Sequence, residues 1–227
     1  VHGYIRQLVR VHESLRQTLF GRPHRRTSLV LDVDSTVVVL YGQHIQGARV
    51  GYNPKKRGRR SYPPLLAFES RFREFWHASL RPGDAGSATG ATPFLQVCLA
   101  KVPRAMPRSR IRFRIDAGFF GRRVVEWLDE QGCGYVIVAV GRAPLRARAQ
   151  SCRFTPMATG WQVGELWYTP IRWARRHRFV VVRRPIPEDP VEARQLTLFK
   201  RYSRIHWIEK NDASAAIALI TDFLSSQ

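Results

Sequence analysis

Apolar residues return along this chain with two distinct periods, and these periods predict where helices and strands lie. Over residues 3–19 they recur every three or four positions, a pattern typical of an amphipathic helix. Runs rich in β-branched and aromatic residues at 28–34, 65–69 and 72–79 predict strands. The similar run at 37–41 continues the first strand or pairs with it as a hairpin. We expect these strands to form an antiparallel meander.

The next part of the chain alternates between helical and strand patterns. Residues 92–102 and 121–131 have helical spacing, whereas the apolar runs at 111–115 and 135–140 predict strands. The order of elements is therefore β-β-β-α-β-α-β. A meander followed by two parallel crossovers predicts an α/β fold of the ribonuclease-H-like class, with a mixed sheet flanked by helices.

After residue 142 the pattern predicts a mostly β insertion. Its strands are expected at 153–157, 162–169, 179–183, 195–199 and 205–208. We interpret Trp161, Trp167 and Trp173 as core residues of this β layer, with base stacking as the alternative. The predicted organisation is an N-terminal helix (1–24), a ribonuclease-H-like core (25–142), the β-rich insertion (143–212) and a C-terminal remnant (213–227).

The composition adds a strong positive charge to this picture. Among 227 residues there are 38 Lys and Arg against 17 Asp and Glu, which gives a net charge of +21. Such an excess repels itself in a compact chain and favours an acidic partner, with nucleic acid as the first choice. No apolar run has the length of a transmembrane helix and no signal segment opens the chain, so we expect a cytoplasmic protein without a membrane partner. The three scattered cysteines indicate neither a zinc site nor a disulfide framework.

Two acidic motifs follow apolar strands. Asp32 and Asp34 alternate along the first strand, so their side chains lie on one face, and Asp116 ends the strand at 111–115 before Gly118. Carboxylates in such places are costly unless they are solvated, hydrogen-bonded or bound to a cation. They indicate either a ligand site at the ends of the strands or an Asx turn with a helix N-cap and no chemistry.

A run of basic side chains lies between predicted strands and is flanked by Tyr52 and Tyr62. Its members are Lys55, Lys56, Arg57, Arg59 and Arg60. Charge runs of this kind are commonly solvated loops. The flanking aromatic residues and the overall charge also fit a contact with the DNA backbone, which would recognise phosphate and not sequence.

Four segments in this order resemble the DDE-type transposases of bacterial insertion sequences, which belong to the ribonuclease-H-like and integrase superfamily. They are LDVDST (31–36), GYNPKKRGRRSYPPLLAF (51–68), LRPGDAGSATG (80–90) and RIDAGFF (114–120). The likeness covers residues 29–140 and extends more loosely to residue 199. Four collinear motifs are much more specific than any one of them.

The resemblance implies a function and a site. Asp34, in Asp34-Ser35-Thr36, and Asp116 would be catalytic and would hold Mg²⁺ or Mn²⁺, with Asp32 behind them orienting the site. Water and then a DNA 3′-hydroxyl would attack phosphodiester bonds. The implied partners are transposon ends and target DNA, with a homodimer assembled on the DNA of the bacterial nucleoid.

The family also has a catalytic glutamate in a Tyr-x-x-Arg-x-x-x-Glu setting. Tyr202 and Glu209 keep the offset between tyrosine and glutamate, but Arg204 stands one place early in a segment patterned as a strand. Glu209 is the candidate within this sequence. We favour a glutamate beyond a truncation or frameshift, in which case the chain is a fragment that binds DNA and metal without completing transposition alone.

Two other functions remain open at this stage. Residues 32–36 also fit the Asp-x-Asp-x-Thr motif of haloacid-dehalogenase-type phosphatases, with Asp32 as nucleophile and Asp34 as general acid and base. No later Gly-Asp-x-x-x-Asp motif follows, and such an enzyme does not require a charge of +21. Alternatively, a non-catalytic basic module would bind nucleic acid and use the aspartates only to form turns.

Overall fold

The computed structural model describes residues 2–20, 28–42, 44–53, 56–157, 161–183 and the strand at 205–208. Helices in these ranges are α1 (His2–Phe20), α2 (Ala91–Ala100), α3 (Arg122–Gln131) and α4 (Ala143–Gln150). No helix within the described residues is long and apolar enough to cross a membrane.

The strands of the described residues form two sheets. The first six are β1 (Leu29–Ser35), β2 (Val38–Val39), β3 (Arg49–Val50), β4 (Arg60–Tyr62), β5 (Leu65–Glu69) and β6 (Glu74–Ser79). The later six are β7 (Ile111–Ile115), β8 (Gly134–Ala139), β9 (Phe154–Pro156), β10 (Gln162–Tyr168), β11 (His177–Arg183) and β12 (Ile205–Ile208). The main sheet has the order β6-β5-β1-β7-β8-β12-β11-β10-β9, and the small sheet has the order β2-β4-β3.

The first five strands of the main sheet give it the ribonuclease-H-like arrangement. β1 pairs antiparallel with β5, and β5 pairs antiparallel with β6, which forms the expected meander. On its other side β1 pairs parallel with β7, and β7 pairs parallel with β8. Helices α2 and α3 precede and follow β7 and provide the crossovers, since parallel neighbours cannot be joined by a hairpin. The fold-class prediction is confirmed.

The prediction that residues 37–41 extend β1 or pair with it is wrong. In the structure this stretch contains only β2, which leaves the main sheet and pairs with β4. β4 also pairs with β3, so the segment after β1 forms a separate small sheet. We call β2, β3, β4 and the turns that join them the basic ribbon.

The β-rich part of the chain is hydrogen-bonded to the core and continues the main sheet. β12 pairs antiparallel with both β8 and β11, and β10 lies between β11 and β9. Helix α4, which the sequence pattern did not predict, precedes these strands. The predicted strand at 195–199 lies outside the described residues. The predicted boundary at residue 143 stays a prediction.

The hydrophobic core lies on one face of the main sheet. Because side chains alternate along a strand, each central strand sends every second residue to this face. Leu31, Phe113 and Ile137 are fully buried there, and they pack with apolar side chains of α2 and α3. The buried apolar residues of the two helices are Ala91, Phe94, Leu95, Cys98, Leu99, Val124, Val125 and Leu128. The charged residues of the two strands, Asp32 and Asp34 of β1 and Arg112 and Arg114 of β7, therefore lie on the other face.

The three tryptophans of the later strands have different environments. Trp173 packs against the main core, and Trp161 packs against the smaller cluster of Val180 and Val182. Trp167 is 51% exposed. The interpretation as core residues therefore fits Trp161 and Trp173 better than Trp167.

Candidate active site

Two aspartates lie side by side where β1 and β7 end. Val33 is the register partner of Ile115 in this parallel pair, so Asp34 and Asp116 are the next residues on each strand. Val33 and Ile115 are buried on the core face, which places both aspartates on the opposite face. Neighbouring strands are about 4.8 Å apart, so the two side chains start from adjacent positions. We call Asp34 and Asp116 the aspartate pair.

Both carboxylates of the aspartate pair are open to solvent, but Asp34 is electrostatically perturbed. Partial burial raises the pKa of Asp34, and the charge of Asp116 raises it further. The Ser35 backbone N–H opposes this shift because it donates a 2.6 Å hydrogen bond to Asp34 Oδ1. An accessible carboxylate whose pKa is raised partly by a neighbouring carboxylate marks a place where a cation would be stabilised.

Asp32 lies on the same face but has a different partner. Both of its carboxylate oxygens accept hydrogen bonds from the guanidinium of Arg114, its register partner on β7. Arg114 Nη2 also donates to Ser70 Oγ at 2.6 Å. The charge of Asp32 is thus balanced by a side chain that stands two residues before Asp116. Its proposed role in orienting the site stays a prediction.

The turn after Asp116 is packed tightly against another segment. Asp116 is followed by a 3₁₀ turn, Ala117–Phe119, in which Phe119 is buried and its N–H donates to Asp116 O at 3.1 Å. A Cβ atom at Gly118 would lie 2.8 Å from Ser87 Cβ. Glycine at 118 therefore lets the segment that carries Ser87 approach the end of β7.

The predicted DNA-contact residues are partly described. Lys56, Arg57, Arg59 and Arg60 are exposed on the basic ribbon, whereas Lys55 lies outside the described residues. Lys56 Nζ donates to Tyr41 Oη at 2.6 Å. Next to this pair is an open groove of about 570 Å³. It is lined by Leu40, Tyr41, Gly42, His44, Val50, Gly58, Arg59 and Arg60.

The predicted third acid lies outside the described residues. Glu209 is the residue directly after β12 in the sequence. In the part of the chain that the structure describes, no group of three His, Cys, Asp or Glu side chains could hold a metal ion.

One residue near the site was missed by sequence reasoning. Arg81 is buried, and its guanidinium hydrogen-bonds Ser35, the neighbour of Asp34. The sequence signal for Arg81 was its place in the segment LRPGDAGSATG (80–90). This segment contributed to the family resemblance, but none of its residues was given a role. An arginine in a stretch rich in Gly and Pro is normally read as a solvated loop residue.

Comparison with known proteins identifies one family. Residues 5–196 match the family described as Transposase DDE domain group 1. A search of curated proteins finds no match.

The similar solved structures are distant in sequence. They include piggyBac transposase in a synaptic complex with hairpin DNA, at 11% identity, 78% of this chain, 38% of that chain and a TM-score of 0.38. Mos1 transposase in a paired-end complex with the left transposon end is 14% identical, with a TM-score of 0.34. This match covers 56% of this chain and 39% of the Mos1 chain. A third structure is Endonuclease V of Ciona intestinalis in complex with a 24mer DNA containing an inosine followed by a ribo-adenosine. It is 13% identical, with a TM-score of 0.32, and the match covers 93% of this chain and 84% of that chain.

This chain thus spans 38% and 39% of the two transposase chains. The family match, in contrast, includes both aspartates of the pair and the whole basic ribbon, since it extends over residues 5–196 of 227. The chain belongs to the transposase DDE domain group 1 family.

Proposed function

We propose that this chain carries the catalytic centre of an insertion-sequence transposase, which cleaves DNA strands and transfers them with the help of divalent cations. The observation that carries the proposal is the aspartate pair, two carboxylates brought to adjacent strand ends from positions distant in the sequence. The family match supplies the reaction class.

The aspartate pair fits Mg²⁺ or Mn²⁺ by the chemistry of its donors. Mg²⁺ is commonly held in proteins by one or two carboxylates together with substrate phosphates, and this is the donor set that Asp34 and Asp116 offer. A bound cation would also offset the mutual repulsion that contributes to the raised pKa of Asp34. When bound, such ions polarise a phosphodiester and activate the attacking oxygen.

The chain's own residues supply position and charge. The paired strands β1 and β7 hold the two carboxylates on one face, and the Ser35 N–H fixes one oxygen of Asp34. Rigid elements of this kind keep a site in its productive geometry. The Arg114 guanidinium compensates Asp32, so the negative charge that remains uncompensated is concentrated on the aspartate pair.

DNA is the partner that the charge distribution supports. The chain has a net charge of +21, and Lys56, Arg57, Arg59 and Arg60 are exposed together on the basic ribbon. Side chains of this kind bind phosphates and release condensed counterions, without selecting a sequence. We propose transposon ends and target DNA as the substrates, with a homodimer assembled on them.

The phosphatase alternative is disfavoured by the surroundings of Asp32. Its two oxygens accept hydrogen bonds from Arg114, so the carboxylate that would have to attack a phosphate monoester is already engaged. The proposal therefore predicts no hydrolysis of a chromogenic phosphate ester.

The test measures Mn²⁺ binding by calorimetry and nicking of supercoiled plasmid in Mg²⁺ or Mn²⁺. Asp34→Asn and Asp116→Asn should each lose Mn²⁺ binding and plasmid nicking, while salt-sensitive DNA binding stays nearly intact. Asp84→Asn is the matched control, since this exposed carboxylate pairs with Arg49 and should leave both measurements unchanged. Wild-type Mn²⁺ affinity in Asp116→Asn would reject the metal role. Glu209→Gln, assayed in the same way, tests the third-acid prediction.

A further inference from the structure

Arg81 follows β6 and is almost completely buried, with 6% of its surface exposed. Its guanidinium donates hydrogen bonds to five acceptors, all of them uncharged. Nε donates to Pro63 O at 2.7 Å, and Nη2 donates to Ser35 Oγ at 2.9 Å. Nη1 lies at 2.9, 2.9 and 2.8 Å from Gly86 O, Ser87 O and Thr89 O, respectively.

These contacts link Arg81 to Asp34 through Ser35, and to the turn after Asp116 through Ser87. On one side, Ser35 is held by Arg81 through its hydroxyl and donates its N–H to Asp34 Oδ1. On the other side, the carbonyl of Ser87 is held by Arg81, and the Ser87 side chain lies against Gly118, two residues after Asp116. One guanidinium thus connects the end of β1 with the segment that packs on the end of β7.

We propose that Arg81 is a positioning residue that sets the separation of Asp34 and Asp116 and thereby the affinity of the site for divalent cations. This inference rests on the proposed function, because it assigns the cation to the aspartate pair. Arg81 touches neither carboxylate and acts only through Ser35 and Ser87.

The chemistry of the side chain explains why arginine is needed. A guanidinium carries five N–H donors in a rigid planar fork, so it can bond Pro63 O, Ser35 Oγ and the carbonyls of Gly86, Ser87 and Thr89 at once. A lysine ammonium has three donors on a single nitrogen, so it cannot bond at once the acceptors that surround the guanidinium on several sides. Lysine at this position should keep a positive charge but lose the connection between the two strand ends.

The experiment compares Mn²⁺ affinity, measured by calorimetry on the full chain without DNA, in wild type, Arg81→Lys and Ser35→Ala. Loss of partners that orient metal ligands typically weakens metal binding about 10- to 100-fold, and we expect a loss of this size for Arg81→Lys. Ser35→Ala removes only the hydroxyl contact and keeps the carbonyl cage, so its loss should be smaller. Arg110→Lys, at an exposed arginine, is the matched control and should bind as wild type does.

Thermal unfolding of each variant separates positioning from simple stabilisation. A merely structural role predicts a lower Tm with unchanged Mn²⁺ affinity in the folded protein, and that result in Arg81→Lys would overturn the proposal. If Arg81→Lys does not fold, wild-type affinity in Ser35→Ala overturns it instead. A wild-type chain that fails to bind Mn²⁺ would refute the proposed function, and with it the role of Arg81.

Discussion

Replacing Gly83 by alanine tests how the basic ribbon is attached to the core. A Cβ atom at residue 83 would lie 2.0 Å from Arg49 O and 2.3 Å from Ser61 O. Both atoms are backbone atoms of the ribbon, in β3 and β4, so no side chain can rotate away. The reverse contact is equally close, since a Cβ atom at Gly51 would lie 1.9 Å from Gly83 O.

The expected cost of Gly83→Ala follows from these distances. Ordinary contact begins at 3.4 Å, so the ribbon and the segment around residue 83 would have to separate by more than about 1 Å. Overpacking of this kind costs about 1–3 kcal/mol. The hydrogen bond from Gly83 N to Gly47 O, 3.2 Å long, would also be lost, at about 1 kcal/mol. The sum is a large part of the roughly 5–15 kcal/mol that stabilises a domain.

The free energy of unfolding in urea measures this cost, and Gly86→Ala is the control. The nearest atom to a Cβ at residue 86 is Thr89 Oγ1 at 3.4 Å, so the same substitution three residues away should be nearly neutral. Affinity for a random DNA duplex, measured by fluorescence anisotropy, should fall in Gly83→Ala because the ribbon is displaced. Equal stability of the two variants would refute the close contact between the ribbon and residue 83.

Three further predictions concern charge and burial. Because burial and the charge of Asp116 both raise the pKa of Asp34, the folded state binds this proton more tightly than the unfolded state, and metal-free stability should fall as pH rises from 3.8 through the raised pKa. Asp116→Asn should reduce this fall, as urea unfolding across that range would detect; an unchanged pH dependence would mean that the two carboxylates do not interact. Lys55→Ala with Lys56→Ala should weaken binding to all DNA sequences alike and flatten the salt slope by about two if each lysine neutralises one phosphate, whereas a loss confined to one sequence would contradict a backbone contact. Burial raises the pKa of Cys98 to about 12, so Ellman's reagent should label the partly exposed Cys152 before Cys98, and rapid labelling of Cys98 in the native protein would contradict the packing of α2.

The sequence was sufficient to predict the core of the fold and the aspartate pair because both leave local signals. β7 alternates strictly between apolar and basic residues, and β1 alternates from Leu31 to Asp34. Asp34 lies near the end of β1 and Asp116 directly after β7, and an acid is unusual in such a place next to an apolar strand. The register between β1 and β7 cannot be predicted from either segment alone. The crossover through α2 makes the two strands parallel, however, so their carboxyl ends lie at one edge of the sheet.

The elements that were missed lack such signals. β3 contains only two residues, too few to show a period; β2 is equally short, and its predicted pairing with β1 was wrong. Helix α4 has only Leu145 and Ala149 buried, one turn apart, which gives a weak amphipathic pattern. The role proposed for Arg81 depends on its hydrogen bonds to carbonyl groups of a neighbouring segment. The pattern of side chains along the sequence does not show where backbone carbonyls point.

The position of β12 has a consequence for the order of folding. This strand is the bridge between β8 and β11, yet it lies later in the chain than every other strand described. Until it is in place, β8 and β11 each present an open edge with unpaired backbone groups, the kind of surface on which unrelated chains associate. During synthesis the two parts of the sheet must therefore wait for β12, so we expect the nascent chain to be most prone to misassembly just before β12 pairs with β8 and β11.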